Sequence, residues 1–415
     1  MKRILVILSA ALVLSACTDV VEPAISPTDA SFKRKPTPPK DPPAQPPTAQ
    51  EIFARFVSLG TSNSMGVQSA GVFASAQRAA WPAQLAARVG VPFSLPLVKD
   101  PGCGPPLFAP LATNFALLGA FAAFGAGDDL VTAMMDTCAP LQDGIIPPAN
   151  NVAISGANVH DALHTTPEIE ALTSPRKGEL YSRVLAPGQT QVAAMLAQSP
   201  TFVAVELAAN EVLPASTGRL SSMTPFDPWA LDYDEVLAAV KSTGARAVLV
   251  GLPDNAANFP SIRRSREFFY EWAYLATLGI SMSINCYYSS NYIFVPGYIL
   301  TLLSKTPTTA TCTDVPGEID YVLTASDINA INSRMAQMNS RMETRAGENG
   351  YAFFKLSVVY DLPKVSFSMY DVLFSSTPFG PYISLDGVHP SSAGQSILAD
   401  AAVQAISARY GVTIP

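Results

Sequence analysis

The chain has 415 residues, 48% of them apolar and only 14% charged, and its mean hydropathy is +0.23, so it has the length and the composition to bury a large core. That leaves either a single α/β domain with long insertions or two domains. A net charge of −7, a pI near 5.1 and the lack of any basic stripe in the body of the chain argue against nucleic acid as a partner.

The N-terminus reads as an export signal, with Lys2 and Arg3 followed by an apolar run from Ile4 to Leu14. That run is too short for a stable span of a bilayer about 30 Å thick. The next residues, Leu14-Ser-Ala-Cys17, resemble a bacterial lipobox, which implies cleavage before Cys17 and lipidation of its sulfur. Thr18 stands where an inner-membrane retention aspartate would be, so the outer membrane or cell surface is the expected location. Residues 18–50 lose apolar periodicity, and the proline-rich run from Lys35 to Pro47 is extended, as a tether between anchor and domain would be. The folded domain is expected over 51–415.

Five apolar runs read as strands: Ile52–Leu59, Asn151–Ser155, Thr201–Leu207, Ala245–Leu252 and Ala352–Val359. Their spacing leaves room for helices between them. Ile328, Ile331, Met335, Met338 and Met342 place one apolar stripe on such a helix, as core packing requires. Strands alternating with helices predict a three-layer α/β/α domain with a parallel, doubly wound sheet. Two stretches interrupt the alternation, 91–147 and 281–316, and read as loop insertions that wall a site. With Cys17 lipidated, Cys103, Cys138, Cys286 and Cys312 remain, an even number in an exported chain. Three pairings are open. Nearest neighbours, Cys103 with Cys138 and Cys286 with Cys312, each bracket one insertion. No C-x-x-C spacing supports metal ligation by these four residues.

Ligands of such sheets sit at the carboxyl ends of the strands, so the residues there carry the chemical expectations. The first run ends in Leu59-Gly60-Thr61-Ser62, presenting a hydroxyl at a turn. Asp386-Gly-Val-His389-Pro390 precedes a helix expected from Ser391 to about Arg409. A neutral imidazole accepts a serine proton, and a nearby carboxylate fixes its tautomer. Gly156 and Asn210, at two further strand ends, are donors able to cradle an oxyanion.

In this order the motifs resemble the SGNH (GDSL-like) hydrolase family over most of residues 54–410. The resemblance implies a flavodoxin-like sheet, no metal or organic cofactor, and hydrolysis of ester or acyl groups. It makes Ser62 the nucleophile, with Asp386 and His389 completing the triad. Ser62, Gly156 and Asn210 would form the oxyanion hole. Three residues depart from the family pattern: Thr61 for Asp, Ala208 for Gly and Glu211 for Asp. The expected substrate is a small-molecule or glycan ester and the expected state a monomer, held to the membrane through Cys17. The apolar insertions suggest short or medium acyl esters, and the alternative is O-deacetylation of a carbohydrate or cell-envelope polymer. A non-catalytic, ligand-binding surface lipoprotein is the rival from another class.

Two other chemistries find less support in the sequence. The chain contains no G-x-S-x-G pentapeptide, which argues against an ordinary α/β-hydrolase elbow. His160-Asp-Ala-Leu-His164 has the i, i+4 spacing of helical zinc ligands, but it carries Asp where the metalloprotease motif has Glu, and no third ligand follows it in sequence.

Overall fold

Apolar residues that alternate between the two faces of a strand dictate the layers of this molecule, a computed structural model that describes residues 47–113, 138–305 and 307–415. The N-terminal leader, Cys17 and the proline-rich run up to Pro46 lie outside the described residues. Four parallel strands form the main sheet: β1 (Phe56–Gly60), β2 (Phe202–Glu206), β3 (Arg246–Gly251) and β4 (Ala352–Lys355), in that spatial order. Val57, Leu59, Val203, Val205, Ala247 and Leu249 point to one face. There they pack against Trp229, Tyr233 and Val236 of the helix Phe226–Ser242 and against the stripe Ile328, Ile331, Met335, Met338 and Met342 of the helix Ala325–Asn349. Phe56, Phe202, Ala204, Val248 and Val250 point to the other face, against Trp81 and Leu85 of the helix Trp81–Val89 and Leu398, Ala402 and Ile406 of the helix Ser392–Tyr410. Helices therefore cover both faces, and the methionine stripe is core, as its spacing predicts.

The fifth expected strand, 151–155, is extended but not a regular sheet member. It runs parallel to β1, with hydrogen bonds from Ser58 N to Asn150 O (2.9 Å), from Val152 N to Ser58 O (2.9 Å) and from Ile154 N to Gly60 O (3.0 Å). The Asn151 side chain turns back to accept from Ala153 N (3.2 Å), a local bond that competes with strand continuation. The chain thus leaves β1 to one side and returns for β2 on the other. Such a reversal of strand order opens a crevice at the strands' carboxyl ends.

The first strand is shorter than expected because residues 49–52 form a helix (Ala49–Ile52). Thr48 and Glu51 make a reciprocal capping box there, a T-x-x-E signal that the apolar run obscures. The last strand likewise stops at Lys355, and Ser357–Tyr360 is a helical turn.

Both disulfides pair nearest neighbours, Cys103 with Cys138 and Cys286 with Cys312. The second insertion is larger than its expected bounds. Ile262–Arg264, Tyr292–Phe294 and Val322–Leu323 make an antiparallel three-stranded sheet, and Ile280–Met282 pairs with Thr308–Ala310. These elements enclose an apolar cluster of their own around Phe268, Ile293, Tyr298 and the disulfide. Among the described residues of the first insertion, single bridges such as Val72 with Cys103 and Val98 with Leu141 hold the chain. No helix among the described residues is long and apolar enough to cross a membrane.

Candidate active site

The turn after β1 is built by a buried polar network, not by apolar packing. Thr61 occupies the N-cap position of the short helix Ser62–Met65 without a side-chain cap bond, and the helix's first N–H groups have no intrahelical acceptor. Glu206, at the end of β2 and paired in register with Gly60, fills that need from the neighbouring strand. Its carboxylate accepts from Thr61 N (3.1 Å), Thr61 Oγ1 (2.8 Å), Ser64 N (3.2 Å) and Ser64 Oγ (3.1 Å). Burial pushes the Glu206 pKa up, and the donors from Thr61 and Ser64 oppose that shift. Gly60 is required by close approach, since a Cβ there would lie 2.7 Å from Ser64 Oγ. Further side chains fix the turn from outside. Asn151 Nδ2 donates to Ser64 O (2.8 Å), Gln395 Nε2 to Asn63 O (3.0 Å), Gln191 Nε2 to Gly60 O (2.9 Å) and Trp81 Nε1 to Ser64 Oγ (3.2 Å). Ser62 sits in the middle of this frame, 5% exposed.

Asp386 and His389 are held just as firmly. His389 Nδ1 lies 2.8 Å from Asp386 Oδ2, the geometry in which an imidazole N–H donates to a carboxylate. Asp386 also accepts from Ala70 N (2.6 Å), Ser384 Oγ (3.1 Å), Val388 N (2.9 Å) and His389 N (2.9 Å). Gly387, at φ +73°, turns the chain so that those last two N–H groups face back to the carboxylate. The Ala70 donor comes from a tight turn in which Ser69 and Ala70 both adopt left-handed backbone, at φ 52° and 61°. Gln68 and Gly71 exchange backbone hydrogen bonds across that turn, and Ser69 N donates to Ser384 Oγ (2.8 Å). Two side-chain-bearing residues at positive φ carry strain that the docking onto Asp386 and Ser384 must sustain. Burial acts to raise the Asp386 pKa, but the facing His389 and the donated hydrogen bonds outweigh it and bring it down to about 2. The carboxylate is therefore an anion across the physiological range. Tyr360, buried beneath the loop, donates its hydroxyl to Val388 O (2.7 Å).

Ser62 and His389 line the same open cavity. Its other walls are mostly apolar: Val212, Leu213, Leu252, Phe259, Ile262, Phe294, Ile331 and Met335 among them. Phe294 and Ile262 belong to the second insertion, and Ile331 and Met335 to the core stripe, so the floor of the cavity is the core itself. Gly156 and Asn210 stand on adjoining strand ends and do not line this cavity. Gly156 is left-handed (φ +80°), and Asn210 Nδ2 donates to Ala157 O at 2.6 Å, tying the two ends together. Among the described residues, neither the Ser62 nor the Gly156 N–H has a hydrogen-bond partner.

The three residues that depart from the family pattern have definite neighbours. Thr61 bonds to Glu206, while Ala208 is buried at the N-terminus of the helix Ala209–Val212. Glu211 is buried and accepts from Val159 N (2.7 Å), and burial raises its pKa to about 7. Sequence reasoning missed Glu206, although an acid closing a strand of buried apolar residues was a visible signal. It also missed the Ser69-Ala70 turn, because neither residue type marks a left-handed turn. The His160–His164 pair lies on the helix Val159–His164, outside the cavity. His160 Nδ1 is 3.0 Å from Asp232 Oδ2 on the helix Phe226–Ser242.

No family model matches this sequence, and no curated protein matches it. Among solved structures, a catalytic mutant of an acetylxylan esterase from Geobacillus stearothermophilus aligns at 14% identity, covering 61% of this chain and 69% of that one with a TM-score of 0.28. An α/β hydrolase from the metagenome of Lake Arreo, Spain, aligns at 13% identity, covering 86% and 94%, with a TM-score of 0.33. An extracellular lipase from Streptomyces rimosus aligns at 15% identity, covering 83% and 98%, with a TM-score of 0.32. Overlaps this loose carry no part of the functional argument, which rests on the site.

Proposed function

We propose that this chain is a serine esterase of the SGNH type, on the flavodoxin-like version of the doubly wound fold. The observation that carries the reading is the Asp386–His389 pair, a buried anion bonded to an imidazole, opening on the same cavity as Ser62. Ser62 Oγ attacks the ester carbonyl carbon while His389 Nε2 takes the hydroxyl proton, and Asp386 holds the imidazole through Nδ1 and stabilises the imidazolium. The oxyanion would meet the Ser62 N–H first, with the Gly156 N–H and the second amide hydrogen of Asn210, which neighbours the cavity-lining Ala209, the further donors assigned by the SGNH reading. Collapse of the tetrahedral intermediate breaks the carbon–oxygen bond to the alcohol, which leaves with the proton from His389. Water, deprotonated by the same imidazole, then releases the acid from Ser62.

The cavity favours an acyl chain over a sugar, because its walls offer aliphatic and aromatic surface and few polar groups beyond Ser62, Asn63, Ser216, Tyr360 and His389. Short to medium acyl esters are thus the proposed substrates, with deacetylation of a glycan the alternative of the same mechanism. The proposal includes lipidation at Cys17, which would place the domain at the outer membrane or cell surface on its proline-rich tether.

The test combines a fluorophosphonate label with a series of nitrophenyl esters of increasing chain length. Covalent label on Ser62, located by peptide mass spectrometry, and turnover peaking above the acetyl ester are expected. A protein that neither labels nor turns over any ester would be a binding protein, and the reading would fall.

A further inference from the structure

We propose that His160, His164 and Asp232 form a binding site for a divalent transition-metal ion, zinc foremost, on the outer surface of the domain. In sequence the histidine pair lacks a third ligand; the fold supplies it from 72 residues beyond His160. One ligand atom from each of the three residues lies within 4.8 Å of the others. Ligands about 2 Å from a tetrahedral zinc stand roughly 3.3 Å apart. The 3.0 Å separation of His160 Nδ1 and Asp232 Oδ2 is already close to one edge of such a polyhedron. The His164 ring, its centroid 4.5 Å from that of His160, closes the set with a small side-chain rotation. Two imidazoles and a carboxylate leave the fourth position to water, a donor set that suits zinc or nickel and not magnesium.

The elements that carry the ligands are fixed before any metal arrives, which lowers the cost of ordering the site. Asn158 and Asp161 cap the helix Val159–His164 reciprocally, and Val159 N is bonded to the buried Glu211. The Asp161 carboxylate is occupied by Asn158 N (3.0 Å) and Thr165 Oγ1 (2.9 Å), so it is not a fourth ligand. The helix Phe226–Ser242 is anchored from its other side by Trp229 and Tyr233, both fully buried. Asp232 is partly buried and its imidazole partner exposed, so metal can enter without opening the core. A bound ion would staple the two helices together at their exposed edge. One of them begins just beyond Ala157, the residue whose carbonyl Asn210 holds.

The readout is metal binding, not turnover, so the result stands whether or not Ser62 hydrolyses esters. The full-length chain, stripped with chelator and dialysed, is titrated with Zn²⁺ and Ni²⁺ by calorimetry and by thermal unfolding. One saturable equivalent is expected, with a Tm raised by a few degrees at a hundredfold excess over Kd and no response to Mg²⁺. His164→Ala and Asp232→Ala should each weaken binding at least tenfold while leaving the metal-free Tm within about a degree of the parent. His389→Ala should bind as the parent does. The proposal is overturned if no saturable site appears, or if binding persists undiminished in His164→Ala or Asp232→Ala. Loss of binding in His389→Ala alone would overturn it equally, by moving the metal to the cavity.

Discussion

Among the described residues, histidine stands beside aspartate twice, and the two pairs differ chiefly in what surrounds them. His389 and Asp386 meet at 2.8 Å with side chains 15% and 9% exposed, whereas His160 and Asp232 meet at 3.0 Å with side chains 63% and 23% exposed. At the first pair, four further donors converge on the carboxylate, burial strips away competing water, and the aspartate is held as an anion. At the second, water reaches the imidazole, and exposed charge pairs of this kind contribute about 0–1 kcal/mol. Contact distance therefore does not tell the buried pair from the surface pair. What tells them apart is whether the partner charge is fixed by its own neighbours.

The sharpest way to break that contrast is to remove the groups that only the buried pair serves. Ser62→Ala and His389→Ala should each lower kcat for a nitrophenyl ester on the order of 10⁴-fold or more, and the double variant should lose little beyond either alone, since the groups act as a unit. Retention of a tenth of the parent rate in either single variant would remove Ser62 and His389 from the chemistry.

The paired aspartates give the next test. Asp386→Asn sets an NH₂ against a site where every neighbour donates, so it should cost roughly 1–3 kcal/mol of stability as well as activity. Asp232→Asn should leave turnover unchanged and shift stability by less than about 1 kcal/mol. Because the folded pKa of Asp386 is depressed to about 2, its contribution is present above the unfolded value near 3.8 and is lost as pH falls from 4 to 2. Acid unfolding of the parent should show that loss, on the order of 2 kcal/mol, and a variant lacking the carboxylate should not.

Glu206→Gln probes the frame under Ser62. A carboxamide keeps one acceptor and turns an NH₂ toward Thr61 or Ser64, at a cost of about 1–3 kcal/mol by denaturant unfolding. Turnover should fall with it, because the Ser62 turn loosens. Unchanged kcat in a folded Glu206→Gln protein would mean that Asn151, Gln191, Gln395 and Trp81 hold the turn without it.

Glu211 provides an effect on stability alone, with no group in the proposed chemistry removed. Its folded pKa is raised to about 7 by burial, so the folded state keeps a proton that the unfolded chain has released above pH 4.5. Stability should therefore decline as pH rises from about 5 to 7, by on the order of 3 kcal/mol in the limit of full burial. Glu211→Gln, which keeps an acceptor for Val159 N, should flatten that decline. An equal slope in parent and variant would assign the pH dependence to another group.

Much of this molecule was legible in the sequence because it is written in local patterns. Apolar runs gave β2 and β3 to within a residue at each end, the 3–4 spacing gave the stripe of the helix Ala325–Asn349, and cysteine proximity gave both disulfides. The residues Ser62, Asp386 and His389 were visible because their types and order are unusual in a chain with three histidines. Tertiary structure alone decided which groups meet. Nothing local says that Glu206 would reach back to Thr61, that Ala70 would donate to Asp386, or that Asp232 would stand beside His160, since these pairs are joined across 145, 316 and 72 residues. Periodicity records which face of an element is buried, because burial acts on each residue separately. The pairing of polar groups depends on where two distant backbones are brought together, and that is fixed only when the sheet and its covering helices have packed.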